Sequence, residues 1–179
     1  MYWVLFSSYN FFLFKKFGFP SYIHNPMIIT RKGNISLGRK VRIYPQARIE
    51  ALSRNANIEL GNDISVGPNV NITSMGKVTI GDGTTISSGV FITDVDHEYS
   101  QIDVPIMKQS NTVSDVVIGQ NCFIGTGVVI LPGTKLGKQC VVGANSVVRG
   151  VFEDYSVIVG APATVVKKYN TDLKKWLRV

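Results

Sequence analysis

Histidine, cysteine and charge are scarce in this 179-residue sequence, and each scarcity closes off a class of chemistry. Only 17% of the residues are charged, against 45% hydrophobic and 17 glycines, which excludes a disordered chain and points to a packed, turn-rich fold of one domain. Two histidines and two cysteines offer no zinc-site spacing, so no metal is expected. No GxSxG motif or other nucleophile arrangement is present, which disfavours a covalent acyl-enzyme. The net charge of +7 suits an anionic partner, but no nucleic-acid-binding motif accompanies it, so a phosphate-bearing small molecule is preferred and no nucleic acid is expected. Nor is any hydrophobic run long enough to span a bilayer. Ser7, Ser8 and Asn10 interrupt the apolar start MYWVLFSSYNFFLFKKFGFP, Lys15 and Lys16 end it, and it lacks the basic start and cleavage site of a signal peptide. The expectation is a cytoplasmic protein with a short N-terminal helix over about residues 2–17, which either docks on the open end of the fold or rests on the inner face of a membrane.

What the sequence has in abundance is a six-residue period. Between Val116 and Gly150 aliphatic residues recur at Ile118, Ile124, Ile130, Leu136, Val142 and Val148, with glycine following at 119, 125, 137 and 143. An antiparallel sheet with glycine turns would show period-2 alternation between irregularly spaced turns. Six residues per step instead describe one flat side of a parallel β-helix, an all-β solenoid in which three sides make an 18-residue turn and each turn buries its neighbour's aliphatic rung. Cys122 and Cys140 lie 18 residues apart and are read as two small buried residues at the same inward position of successive coils.

Along the chain, residues 1–34 read as the N-terminal helix and a lead-in without phase, and residues 35–169 as the β-helix. Its rungs begin at Leu37, Ile43 and Ile49, lose register across an insertion near Ala51–Asn57, and resume at Leu60, Val66 and Ile72 and again at Ile80, Ile86 and Ile92. The stretch 94–115 has neither glycine nor phase and reads as one long excursion loop; loops of this length in compact domains tend to be functional. A partial last turn returns with Val157 and Val159. Residues 170–179 then suggest a short C-terminal helix capped by Asn170 or Thr171, with Leu173, Trp176 and Leu177 on one face.

The excursion holds His97 between Asp96 and Glu98, with Asp94 three residues earlier. A histidine suits removal of a proton from a hydroxyl or an amine, and a neighbouring carboxylate can fix its tautomer. A plain solvent-exposed loop histidine is the alternative. His24, beside Asn25 and Pro26, has no comparable setting.

The hexapeptide repeats, the histidine-bearing loop after the third repeating coil, IGANSVVRG-like VVGANSVVRG, and the tail GAPATVVKK together resemble the left-handed β-helix acyltransferases. Within them the chain is most similar to the maltose and galactoside O-acetyltransferases and the sugar acetyltransferases of O-antigen and exopolysaccharide clusters. The resemblance covers about residues 35–169. It implies a left-handed coil, a homotrimer with active sites at the subunit interfaces, acetyl-CoA as acyl donor and a carbohydrate acceptor. By the same resemblance His97 is the general base and Asn71, in Asn69-Val70-Asn71, holds the acceptor or the reacting carbonyl; Asp94, three residues before the histidine, is grouped with it as catalytic. Coenzyme A is expected to run past Thr126 and Ala144 and to place its phosphates near Arg149, Thr164 and Lys167. Phe123 stands where relatives commonly have tryptophan, and the N-terminal cap of the maltose and galactoside enzymes is not recognisable. The implied function is acetyl transfer to a sugar hydroxyl in lipopolysaccharide or other surface polysaccharide synthesis. An amino group of a nucleotide-linked sugar is the alternative acceptor, less favoured because no nucleotide-binding domain is readable before residue 35. A metal-dependent relative of the fold fails on histidine count, and a purely structural solenoid leaves the loop and the tail unexplained.

Overall fold

The computed structural model describes residues 11–179. Short parallel strands stack in three sheets, with strand orders that advance by one turn at each step: seven strands in the first, six in the third, and seven parallel strands plus two antiparallel ones in the second. The chain therefore climbs through seven layers, each adding one strand to each sheet until the third sheet stops at Val147–Val148. The rungs are the aliphatic columns read from the sequence. Leu60, Ile80, Ile118 and Leu136 stack in the first sheet, Val66, Ile86, Ile124 and Val142 in the second, and Ile72, Ile92, Ile130 and Val148 in the third. All are buried. Apolar burial of this kind, repeated layer upon layer, is the main stabilising term of the solenoid.

The insertion near Ala51–Asn57 lies between Arg48–Ala51 and Asn57–Leu60, and register resumes beyond it. Cys122 and Cys140 are free and buried, as expected of two small core residues on successive coils. The hydrogen bond with Cys140, together with burial, pushes the Cys122 thiol up, so it stays protonated at neutral pH.

Three expectations need correction. The stack begins at Lys16–Phe17, not at residue 35: Lys16–Phe17, Tyr22–Ile23 and Ile28–Thr30 pair in parallel with the strands of the next turn. Phe17, Ile23 and Ile29 already keep the six-residue step, with Pro20 and Pro26 outside the strands, where a missing N–H costs no ladder bond. The helix expected over residues 2–17 lies largely outside the described residues, and the part within them is a 3-10 turn at Phe11–Leu13 followed by that first strand. The C-terminal helix is instead a strand, Lys175–Arg178, antiparallel to Ala163–Asn170. Asn170 caps a turn, accepting from the Leu173 N–H at 2.8 Å, and Trp176 packs edge-on to Tyr169. A ten-residue tail is too short to hold a helix alone, whereas an open strand edge offers it backbone partners at once. In the last turn the buried aliphatic residue is Ile158, with Val157 and Val159 only partly covered.

Candidate active site

The excursion leaves the fourth layer after Phe91–Thr93 and returns at Val116–Ile118. Its root is a small antiparallel hairpin, Val95–His97 against Asn111–Val113, which sets His97 opposite Asn111. Two fixings hold it. Asp94 is fully buried and accepts three hydrogen bonds, from Ser74 Oγ (2.6 Å), the Met75 N–H (2.9 Å) and the Gly76 N–H (3.0 Å), while its carbonyl accepts from the Ser114 N–H. Its carboxylate is thus spent on the previous layer and anchors the loop; it does not orient the His97 ring. Asp96 pairs instead with Arg149 (2.5 Å) and accepts from the His97 N–H (3.1 Å). The Arg149 guanidinium holds the Asp96 carboxyl below the usual carboxylate range, so Asp96 is an anion beside the histidine at neutral pH. The His97 side chain is exposed and has no hydrogen-bond partner among the described residues, which leaves both ring nitrogens to a substrate.

Asn71 stands on the outer row of the third sheet between Arg48 and Phe91, its amide donating to the Asn69 carbonyl at 3.2 Å. No hydrogen bond joins it to the hairpin. Thr126 and Ala144 stack at the corner between the second and third sheets, both exposed, with the Asn145 N–H donating to the Thr126 carbonyl. A side chain on the adjacent Gly125 would meet the Ala144 nitrogen at 2.7 Å, so the wall here is close-set backbone lined by small groups, along which a slender chain can lie. Thr164 and Lys167 belong to the closing antiparallel strand, where Thr164 faces Val159 and Lys167 faces Val157 on one side and Arg178 on the other. Lys168 is tied to Glu153 at 2.5 Å, whereas Lys167 and Arg178 form a neighbouring exposed cationic pair suited to phosphate.

The residues singled out from the sequence therefore fall into two groups. His97, Asp94 and Arg149 meet at the hairpin root; Thr126 and Ala144 form a column, with Thr164 and Lys167 on the last strands. Arg149, expected near phosphates, sits beside the histidine. Register could have shown it: Ile92, Ile130 and Val148 are partners in successive layers, so Thr93, Leu131 and Arg149 follow one another in the next column, directly over the loop's point of exit. Arg178 carried no sequence signal, because the tail reads as a helix. A separate groove of about 380 Å³ lined by Lys16, Glu59, Thr79, Asp82 and Gln120 contains none of these residues.

Residues 115–150 match the bacterial transferase hexapeptide (six repeats) family. The chain is 39% identical over 165 residues, covering 88% of itself and 81% of its relative, to the protein of Escherichia coli K12 assigned as the lipopolysaccharide biosynthesis O-acetyl transferase WbbJ. The chain belongs to the hexapeptide-repeat acyltransferases. It is also 31% identical over 169 residues, covering 89% of itself and 87% of its relative, to the dTDP-4-amino-4,6-dideoxy-D-glucose acyltransferase of Escherichia coli. Among solved structures, the N-acyltransferase AntD of Bacillus cereus in complex with dTDP and 3-hydroxybutyryl-CoA superposes with a TM-score of 0.77, at 22% identity, covering 93% of this chain and 89% of AntD. The hexapeptide-repeat chain thus has the left-handed β-helix fold. It is an acyltransferase.

Proposed function

We propose that this chain is an acetyl-CoA-dependent O-acetyltransferase that moves an acetyl group to a sugar hydroxyl in surface polysaccharide synthesis, on the cytoplasmic side of the membrane. The observation that carries the reading is the presentation of His97: an unpartnered imidazole on a hairpin pinned to the solenoid by Asp94 and Arg149. In this reading His97 takes the proton from the acceptor hydroxyl as its oxygen attacks the thioester carbonyl, and returns it to the departing thiolate; no covalent enzyme intermediate is needed. Asn71 holds the acceptor or the reacting carbonyl oxygen, and the small column at Thr126 and Ala144 takes the pantetheine arm. Thr164 and Lys167, with Arg178, meet the phosphates. The exposed apolar residues of the excursion, Tyr99, Ile102 and Met107, fit burial against a second copy in a homotrimer whose subunit interfaces complete the sites.

Similarity to a dTDP-amino-sugar acyltransferase over most of the chain supports a second reading, in which the acceptor is the amino group of a nucleotide-linked sugar. Thiol release from acetyl-CoA against a panel of sugars, nucleotide-sugars and amino sugars separates the two. Release that requires a hydroxyl acceptor, and that falls by about two to four orders of magnitude in His97→Ala, is the expected result. Release with amino sugars alone moves the assignment to N-acylation, and near-normal turnover in His97→Ala removes the histidine mechanism.

A further inference from the structure

The first turns of the solenoid carry a charge asymmetry that acetyl transfer does not use. Eight of the nineteen Lys and Arg residues, and none of the twelve Asp and Glu residues, lie within residues 1–49; the rest of the chain has eleven basic residues against twelve acidic ones. The whole positive surplus therefore sits in the first quarter of the sequence. Parallel stacking converts that bias into a spatial one, because residues 16–49 are the first two layers and form one end of the molecule. Lys15, Lys16, Arg31 and Lys32 lie on the first layer or its lead-in, Arg39, Lys40, Arg42 and Arg48 on the second. Two of the eight form ion pairs, Arg42 with Asp63 and Arg48 with Glu50, and Lys15 and Lys16 lie near Glu59 and Asp82 of later layers. Arg31, Arg39 and Lys40 are exposed and have no carboxylate partner among the described residues.

The same end exposes large apolar side chains. Phe12 is 87% exposed, Phe19 79% and Met27 61%. They are interleaved with the cations: the Arg39 guanidinium donates to the Phe19 carbonyl at 3.2 Å. Cations alone would suit any polyanion, and lysines alone would serve to keep the open strand edge from pairing. Exposed phenylalanines beside them are costly in water and are satisfied by a surface that offers anionic groups above hydrocarbon.

We infer that the N-terminal end of the solenoid is a docking surface for an anionic lipid bilayer, with Phe12, Phe19 and Met27 entering the headgroup–acyl boundary and Arg31, Arg39 and Lys40 facing acidic headgroups. The inference goes beyond the acetyl-transfer reading and does not depend on it. The test is co-sedimentation of the full chain with vesicles of phosphatidylcholine alone or mixed with phosphatidylglycerol, at two salt concentrations. Binding is expected on the anionic vesicles only, weaker at high salt, and reduced about a hundredfold by the combination Arg31→Asn, Arg39→Gln and Lys40→Asn, at roughly fivefold per charge removed. Phe12→Ser with Phe19→Ser is expected to weaken it further at unchanged charge. Asn suits positions 31 and 40 because both have positive φ, which keeps the fold out of the comparison. Absent binding, equal binding to both vesicle types, or binding retained in the charge variant overturns the inference. Binding to RNA or heparin as tight as to vesicles, and indifferent to the phenylalanine changes, overturns it in favour of a soluble polyanion. Thiol release with a soluble acceptor is expected to survive in every variant, so failure here and failure of the acetyl-transfer reading are told apart.

Discussion

Arg149 is the residue whose two readings differ most in consequence. If it holds the hairpin, Arg149→Ala lowers kcat about tenfold at an unchanged KM for acetyl-CoA, and Arg149→Lys restores part of the loss; if it binds phosphate, KM rises and kcat stays. Steady-state kinetics with a saturating acceptor decides between them, and the first outcome is expected because the guanidinium already faces Asp96. Global stability should hardly move, since the pair is half-exposed and worth at most about 1 kcal/mol. Its pH dependence has a definite sign. A carboxyl whose folded value is lowered contributes stability above its unfolded value, about 3.9, and loses it as pH falls through the lowered one. The pair is therefore intact from neutral pH down to about 4, and any activity change between pH 8 and 5 belongs to another group. At this scale the sequence was partly legible. His97 stood out because histidine is so rare, whereas Asp94, grouped with it from the sequence, turns inward instead: which carboxylate does so depends on the Ser74 hydroxyl and the Met75 and Gly76 amides, about twenty positions earlier.

Single strands here are two to five residues long in the repeating layers, so an element exists only through its neighbours above and below. That makes close backbone approach the sensitive quantity. A methyl group on Gly119 would meet the Gly137 carbonyl oxygen at 2.5 Å, whereas one on Gly33 would meet nothing within 4 Å. Gly119→Ala is expected to destabilise by about 1–3 kcal/mol in chemical denaturation, as overpacking does, and Gly33→Ala to be near neutral. Equal effects would mean that the turns are looser than their geometry. The repeat that makes these elements was the most legible feature, because each rung's neighbours are a fixed number of positions away. It was missed at Phe17, Ile23 and Ile29, where aromatic and proline residues obscure the phase, and the tail misread as a helix became a strand because a partner edge, invisible to local propensity, was waiting for it.

For the whole molecule, the proposed trimer is tested by light scattering after gel filtration, where a mass three times that of the chain is expected; a monomer that still releases thiol would show that each site is complete within one copy. The architecture itself also sets a length scale. The hairpin that presents His97 departs from the fourth layer, and the end rich in phenylalanine and cations is the first, so three inter-strand steps separate them, about 14 Å along the axis. Layers come only in whole turns, which makes the stack a ruler. With its first turn resting on a bilayer, the hairpin that presents His97 would be held at a set height above the headgroups, where it would meet a membrane-anchored glycan some distance out from its lipid and pass over the sugar nearest the surface.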